Sequence, residues 1–396
     1  NLSGPVMDAW ATERNDYTNQ VITGVNGNYT VIKGLNIKTI FGITSTDRRM
    51  DQFNSAITGV ARQNANMPVV DITTGATLTI TNTNTISYDF KIKKQHAFTL
   101  LAGQELNQSR TKNTGVNVKW LPVDITAEQA FAGIQKATPP SGALQEPPTT
   151  SISEQRLFSL FGRLSYSYAG RYMANFIVRR DGSSLFPSNN RYATFPSAQV
   201  GWRISEEPFF QKLDITWMNS LKFRASYGMG GNNRIGVDLY KTLFAASSNN
   251  GYAIEEAVTP GFAPSYLANP DIKWETTVSR NLGLDIGLFK NRVTASIDLY
   301  FNNTRDLLLT AQIPTTSGYT SQLQNIGETS NRGIELQLSA MIINKKDFTW
   351  SMNFNISHNR NRIESLGLDQ YGNPKTSYTV ASGGVNGQDF LAQVGS

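Results

Sequence analysis

The feature of this sequence that most limits its fold is an alternation of apolar and polar residues, repeated in segment after segment. Residues 292–301 (RVTASIDLYF) show it clearly, because every odd position from Val293 to Phe301 is apolar. Successive side chains of a β-strand point to opposite faces, so this period predicts a strand with one apolar face. Comparable segments along the chain predict about twelve strands and an all-β fold. The clearest are residues 192–204, 220–228, 333–342 and 348–357.

The predicted strands are long, and the connections between them alternate in length. Most strands reach the roughly 9–11 residues that a tilted strand needs to cross a bilayer. The tight connections lie at residues 31–35, 91–96, 168–171, 289–292 and 344–347, and residues 205–220 join this series with an expected helical turn. The long loops lie near residues 49–75, 112–153, 182–191, 231–272 and 308–325. Short turns at one end and long loops at the other are typical of bacterial outer-membrane barrels.

Two kinds of protein show such strands. In a soluble sandwich the apolar face is the core, whereas in an outer-membrane barrel it faces lipid and the polar face meets a wet lumen. Charged residues make up 17% of the chain and hydrophobic residues 39%, and no run of about 18 apolar residues occurs. Strand length and loop segregation favour the barrel, with the long loops extracellular. Aromatic residues near strand ends predict interfacial girdles, namely Tyr166, Tyr168, Tyr172, Trp202, Tyr300, Phe348 and Trp350.

The chemistry of an enzyme is not apparent in the sequence. The chain has no cysteine and two histidines, His96 and His358, neither of them at metal spacing from a second histidine. Residues 228–233 (GMGGNN) lack the Lys-Ser/Thr tail of a phosphate loop. Five loop acids are interpreted as solvated surface although they could hold calcium: Asp47, Asp51, Asp71, Glu255 and Glu256. The net charge of +6 is dispersed over turns, so nucleic acid is not expected as a partner. We therefore expect no catalytic, cofactor or metal residues.

Alternate residues of a strand lie on the same face, and this strand parity identifies the polar residues that would face a lumen. In residues 171–181 it places Arg179 on the polar face and Arg180 on the apolar face at the strand's end. Arg179 can be a cation that faces the substrate, or it can pair with Asp181 to brace the hairpin, and the second interpretation is favoured. The full set of lumen-facing candidates is Arg179, Arg203, Lys222, Arg224, Asp285, Asp298 and Glu335.

Several long segments, in order, resemble the barrel of the SusC/RagA family, the TonB-linked outer-membrane transporters of the Bacteroidota. They are residues 162–210 (GRLSYSYAGRYMANFIVRRDGSSLFPSNNRYATFPSAQVGWRISEEPFF), 221–233, 269–309, 325–340 and 352–366. The resemblance is dense from about residue 154 onward and looser before it. It implies a 22-stranded barrel with a plug. We expect residues 1–396 to be a partial barrel domain, with the plug, the TonB-contacting segment and the end of the barrel elsewhere in a longer protein.

The resemblance also implies function. It suggests TonB-dependent import of an oligomeric nutrient, glycan or peptide, with a SusD-like surface lipoprotein, in a barrel surrounded by outer-membrane lipid. It makes residues 182–191 an extracellular hairpin bend, to which we assign Asp181, Gly182, Ser183, Asn189 and Asn190. The long loops, above all 112–153 and 231–272, are the expected contacts for lipoprotein and ligand. The alternative function is a structural or accessory barrel subunit of a larger outer-membrane or secretion assembly.

Overall fold

A computed structural model of the chain describes residues 4–143, 145–254, 257–264, 266–369, 371–380 and 390–395. The chain forms β-strands, most of them long, as the alternation predicted. They are β1 (Thr12–Ile32), β2 (Leu35–Asn54), β3 (Val69–Ile92), β4 (His96–Val118), β5 (Thr149–Tyr168), β6 (Tyr172–Ser183), β7 (Tyr192–Arg203), β8 (Met218–Asn232), β9 (Phe244–Ile254), β10 (Ala257–Pro264), β11 (Glu275–Leu288), β12 (Val293–Gln312), β13 (Ser321–Lys345), β14 (Phe348–Ser365), β15 (Ser377–Val380) and β16 (Phe390–Gln393).

Twelve strands form one sheet in the order β1-β2-β3-β4-β5-β6-β7-β8-β11-β12-β13-β14. Neighbours in the sheet are thus neighbours in sequence, apart from the step over β9 and β10, which pair only with each other. Strands β15 and β16 form a second small antiparallel pair. This up-and-down order sends every other connection to the same end of the sheet. The ends are called the short-turn end and the long-loop end below.

The helices are short and lie in connections or at the beginning of the chain. They are α1 (Pro5–Ala11), α2 (Gly59–Arg62), α3 (Ala127–Ala132) and α4 (Pro208–Gln211). Helix α4 and a 3-10 turn at Ile204–Glu206 lie between β7 and β8, where the sequence predicted a helical turn. Among the described residues, no helix combines the length and apolarity needed to cross a membrane.

The short connections match the prediction, and four of the five long ones are narrower than predicted, while the fifth has the predicted length and begins two residues later. The strands leave residues 55–68, 119–148, 184–191, 233–274 and 313–320 as the long connections, in place of 49–75, 112–153, 182–191, 231–272 and 308–325. Hydrogen bonds between neighbouring backbones continue through polar residues that show no alternation, so the strands extend beyond their amphipathic part. The connection 233–274 also contains the β9–β10 hairpin, which the alternation did not reveal.

The chain divides into two compact units, each with its own buried cluster. The first is drawn from residues 1–27, 39–83 and 106–156, and its cluster joins strand ends to the 119–148 connection. Its members are Phe53, Val70, Val118, Leu121, Ile125, Ala127 and Ala130. The second unit is drawn from residues 28–38, 84–105 and 157–396. Its cluster comprises Phe186, Phe195, Ile272 and Trp274. Both clusters lie at connections, and neither forms the continuous core that a soluble sandwich needs.

Candidate functional site: the polar face of the sheet

Strand register in the second unit separates two faces of opposite character. Directly opposed residues of an antiparallel pair share a face. One row of opposed residues across β7, β8, β11, β12, β13 and β14 is Trp202, Phe223, Leu284, Ile297, Leu336 and Ile356. The next row along the strands lies on the other face and consists of Gly201, Arg224, Gly283, Asp298, Glu335 and Ser357. The sheet thus has an entirely apolar row on one face beside a row of charged, small and polar residues on the other.

The apolar face remains open along its length. Phe176 is 51% exposed, Phe354 48% and Ile356 56%. A continuous exposed apolar surface of this kind is unfavourable in water and is common at a membrane or at an interface.

The polar face is organised around Arg224 on β8. Its guanidinium donates to both carboxylate oxygens of Asp285, from Nε and Nη2, each at 2.9 Å. Nη2 also donates to Asp298 Oδ2 at 3.0 Å and to Ser296 Oγ at 3.1 Å. One cation therefore bridges two carboxylates on two neighbouring strands, in the bidentate geometry that arginine favours.

Gly283 makes this network possible. A Cβ at this position would lie 2.6 Å from Arg224 Cζ, so the guanidinium occupies the space above the glycine backbone. Ser296 supports the arrangement by donating to Asp285 Oδ1 at 2.9 Å. Lys222 approaches the same carboxylate at 4.0 Å, which is the outer limit of an ion pair.

Arg179 forms a second charged group on the polar face, between β6, β5 and β4. Its Nε donates to Asp181 Oδ1 at 2.7 Å, and its Nη2 donates to Glu105 Oε1 at 3.0 Å and to Ser159 Oγ at 2.8 Å. The Arg179–Asp181 pair is the bracing interaction that the sequence favoured. Glu105 and Ser159 were not foreseen, because they come from other strands and only the register brings them near.

All seven lumen-facing candidates lie on this one face. Arg203, Lys222 and Asp285 are opposed across β7, β8 and β11. Asp298 is opposed to Glu335 across β12 and β13. Arg179 lies on the same face, because it is opposed to Phe195 of β7. Phe195 is an even number of residues from Gly201 and Arg203, so the three share the polar face of that strand.

Three residues assigned to the hairpin bend belong instead to a strand. Asp181, Gly182 and Ser183 are the last residues of β6, and Asp181 and Ser183 are buried. Their backbones stay in the ladder because Gly182 is opposed to Tyr192, whose ring covers the glycine. Asn189 and Asn190 do lie in the bend, at residues 184–191.

The bend is tied to the connection 233–274 rather than standing alone. Asn190 Nδ2 donates to the Asp271 carbonyl at 3.0 Å, and Trp274 Nε1 donates to the Arg191 carbonyl at 3.1 Å. Trp274 also packs against Phe186, with ring centroids 5.0 Å apart. The aromatic residues near each segment were the only signal of this contact in the sequence, and they did not identify the partner.

An aromatic row lies beside the short turns on the apolar face. From β3 to α4 it comprises Tyr88, Phe90, Phe98, Tyr166, Tyr168, Tyr172, Trp202 and Phe209, with neighbouring ring centroids 4.9–6.4 Å apart along most of its length. Four predicted girdle residues belong to it. Tyr300 does not, because it shares the parity of Asp298 and its hydroxyl lies above Gly333 on the polar face.

The acids suggested for calcium do not form a site in the described part of the chain. Asp51 is buried and pairs with Arg49 at 2.9 Å, and Asp71 accepts a hydrogen bond from Asn117. The interpretation of Asp51 as solvated surface is therefore wrong. Glu255 and Glu256 lie outside the described residues. No group of three or more potential metal ligands occurs among the residues that are described.

Residues 3–391 match the protein family described as TonB dependent receptor-like, beta-barrel. The chain belongs to this family. The TonB-dependent receptors are outer-membrane receptors and transporters rather than enzymes, which agrees with the sequence expectation.

Curated relatives come from the Bacteroidota. TonB-dependent receptor P3 of Formosa agariphila is 35% identical over 347 residues, which is 85% of this chain and 32% of that protein. TonB-dependent receptor SusC of Bacteroides thetaiotaomicron is 38% identical over 255 residues, 60% of this chain and 24% of that protein. The chain thus spans about a third or less of the length of these relatives.

Solved structures place the sheet in the same fold. The RagAB peptide transporter superposes with a TM-score of 0.79 at 26% identity, covering 98% of this chain and 40% of that one. The ferric citrate transporter FecA matches at a TM-score of 0.55 and 12% identity, over 91% of this chain and 45% of FecA, and supports the fold alone. The resemblance to the SusC/RagA transporters is confirmed.

Proposed function

We propose that this chain forms part of the wall of an outer-membrane transporter that imports an oligomeric nutrient, a glycan or a peptide. The observation that carries the proposal is the network in which Arg224 bridges Asp285 and Asp298 on one face of strands whose other face is open and apolar. Charged side chains at the level of the hydrocarbon core are more stable when they face the lumen, because lipid solvates them poorly.

The polar face would then line a water-filled passage. Its seven candidates, from Arg179 to Glu335, carry both signs of charge, and many of those charges are already paired with one another. A wall of this kind offers hydrogen bonds along its length without the single-sign field that selects simple ions. It suits a large polar ligand, and the match to the RagAB peptide transporter supports an oligomeric one.

We propose two protein partners. A SusD-like surface lipoprotein would meet the long-loop end, where the bend 184–191 and the connection 233–274 form one packed surface through Trp274 and Asn190. Energy coupling through TonB is proposed from the family alone, and no residue of this chain is assigned to it.

The experiment is purification of the full-length protein from outer membranes in mild detergent, with mass spectrometry of all that accompanies it. We expect one lipoprotein in equal amount and an oligosaccharide or peptide retained by the pair. A barrel that purifies alone contradicts the lipoprotein-capped transporter. A barrel held among several unrelated envelope proteins points to the accessory role in a larger assembly.

A measurement of ligand uptake distinguishes a transporter from a structural subunit of an assembly. Cells that carry Arg224→Gln in the full-length protein are expected to import the retained ligand more slowly than wild type while the lipoprotein still co-purifies. The matched control is Arg280→Gln, because Arg280 is opposed to Tyr227 and Phe301 on the apolar face. If both variants import at the wild-type rate, the polar face does not line the passage.

A further inference from the structure

The short-turn end of the sheet carries exposed lysines in nearly every connection. They are Lys33, Lys93, Lys94, Lys212, Lys290 and Lys346, called the short-turn lysines here. We propose that the short-turn lysines bind the phosphate groups of anionic phospholipid headgroups in the leaflet that this end of the barrel faces. The inference rests on the membrane location in the proposed function and adds a lipid ligand to it.

The short-turn lysines have no carboxylate partner among the described residues. Two lysines at the long-loop end of the same unit are paired. Lys241 contacts Asp238 at 2.6 Å, and Lys273 contacts Asp306 at 3.0 Å. At the short-turn end the buried acid Glu207 is already neutralised by Arg171 at 3.0 Å. Most of the described lysines of this unit that lie in connections and have no carboxylate partner are therefore at the short-turn end, although Glu206, Asp214 and Asp347 also lie there and Arg234 at the long-loop end has no ion pair with a described residue either.

Three of these lysines occupy backbone positions that lysine does not favour. Lys93, Lys94 and Lys290 have φ angles of 51°, 57° and 59°. This left-handed region suits glycine and asparagine, and β-hairpin turns commonly use those residues there. Lysine at these positions is less stable than the usual turn residues, so the turn geometry alone does not account for its presence. Ala169 and Phe289 also have a positive φ in short turns, so the conformation itself does not demand a charge.

The surroundings favour a lipid over a soluble anion or an acidic protein. The aromatic row from Tyr88 to Phe209 lies beside the turns on the apolar face, and Tyr168, Tyr172 and Trp202 lie within one residue of a strand end. Aromatic side chains of barrels lie at the level of the lipid headgroups. Cations just beyond that level are at the depth of the phosphates, and basic residues near a membrane surface attract anionic lipids.

The apolar face next to this row also has room for a lipid tail. A groove of about 570 Å³ lies across β3, β4, β5 and β6, with Ile86, Leu100, Leu164 and Phe176 among its lining residues. Gly162 and Ala102 form part of its floor, and their small size leaves the groove open. Tyr88 belongs both to the groove and to the aromatic row, so a tail in the groove would have its headgroup near the turns.

The test uses the full-length protein in vesicles of phosphatidylcholine and phosphatidylglycerol in equal amounts. After extraction in mild detergent, mass spectrometry measures the ratio of the two lipids that remain bound. The variant is Lys93→Asn, Lys94→Gly and Lys290→Gly, which removes three cations and inserts residues that suit a positive φ. The control is Lys136→Gln, Arg234→Gln and Lys241→Gln, which removes the same charge at the long-loop end.

We expect wild type and control to retain phosphatidylglycerol preferentially. We expect the turn variant to lose the preference by about fivefold for each lysine removed, which corresponds to about 1 kcal/mol. High salt should reduce the wild-type ratio in the same direction. Folding of each protein is checked by its heat-dependent mobility in gels.

Equal ratios in the three proteins, or equal losses in both variants, overturn the proposal. So does a turn variant that keeps its lipids and loses an acidic protein. The measurement requires only that the barrel inserts in a membrane. Failure to find a lipoprotein partner therefore leaves the lipid result unaffected, and loss of lipid preference leaves nutrient import open.

Discussion

The Trp202 indole donates a hydrogen bond from Nε1 to Glu207 Oε1 across 3.0 Å. Arg171 donates to the other carboxylate oxygen at 3.0 Å, so a strand end, a tight turn and the residue preceding α4 converge on one buried acid. The sequence Ser-Glu-Glu-Pro-Phe-Phe at residues 205–210 therefore closes the connection between β7 and β8 through its second glutamate.

Glu207 gives this connection a defined pH dependence. Hydrogen bonds from Tyr172 and Trp202, with the charge of Arg171, hold the pKa of Glu207 below its usual value. A carboxyl whose pKa is lowered on folding stabilises the folded state above its unfolded pKa of about 4.3, and this contribution is lost as pH falls through the folded pKa. We expect Glu207→Gln to lower the thermal midpoint at pH 7 and to lower it less at pH 3.

The neighbouring exposed acid provides the control for that measurement. Glu206→Gln removes the same charge one residue away and is expected to leave the midpoint within error at both pH values. Equal shifts in the two variants at pH 7 contradict the assigned role of Glu207.

The close approach of Arg224 to Gly283 predicts a large effect from one methyl group. Gly283→Ala places a Cβ 2.6 Å from Arg224 Cζ, so the guanidinium must move off Asp285 and Asp298. We expect destabilisation of about 1–3 kcal/mol in denaturant unfolding of the detergent-solubilised protein. Gly230→Ala is the matched control, since no atom lies within 4 Å of its Cβ position. Similar losses in both variants would mean that the glycines matter only for strand flexibility.

The bidentate geometry at Arg224 predicts that lysine cannot replace it. One ammonium group cannot bridge Asp285 and Asp298 as the planar guanidinium does. A double-mutant cycle between Arg224→Lys and Asp298→Asn is expected to give a coupling energy of about 0.5–3 kcal/mol in unfolding experiments. Additive effects of the two substitutions contradict a shared network.

Trp274 joins the bend 184–191 to the connection 233–274, and a substitution there should destabilise the contact between them. Trp274→Phe keeps an aromatic ring against Phe186 but removes the donor to the Arg191 carbonyl. We expect about 0.5–1.5 kcal/mol of destabilisation and faster proteolytic cleavage in residues 233–274. Trp217→Phe, at an exposed tryptophan of the short-turn end, should change neither.

The face of each charged residue was predictable from sequence, because strand parity is a property of the backbone alone. Arg224, Asp298 and Glu335 required only that their segments be strands. Their partners were not predictable, because Arg224 is opposed to Gly283 only through the register across the 233–274 connection. A shift of one residue there would have opposed it to Leu282 or Leu284 instead.

The positions at which strands end were also not predictable from the sequence. Asp181 and Ser183 look like bend residues because they are polar, yet both are buried and remain in the ladder. The positive φ angles of Lys93 and Lys94 were not predictable either. A turn with this conformation usually contains glycine or asparagine, and the Lys-Lys turn contains neither.

Strand β13 has 25 residues, about 80 Å of chain at roughly 3.3 Å per residue. A tilted crossing of the hydrocarbon takes about 9–11 residues, so in the proposed orientation more than half of this strand stands outside the lipid. The entrance is then built from hydrogen-bonded backbone and not from loops. In that orientation strand length sets the height of the entrance above the membrane surface, so the loops proposed to contact a ligand can change without moving the surface proposed for the lipoprotein.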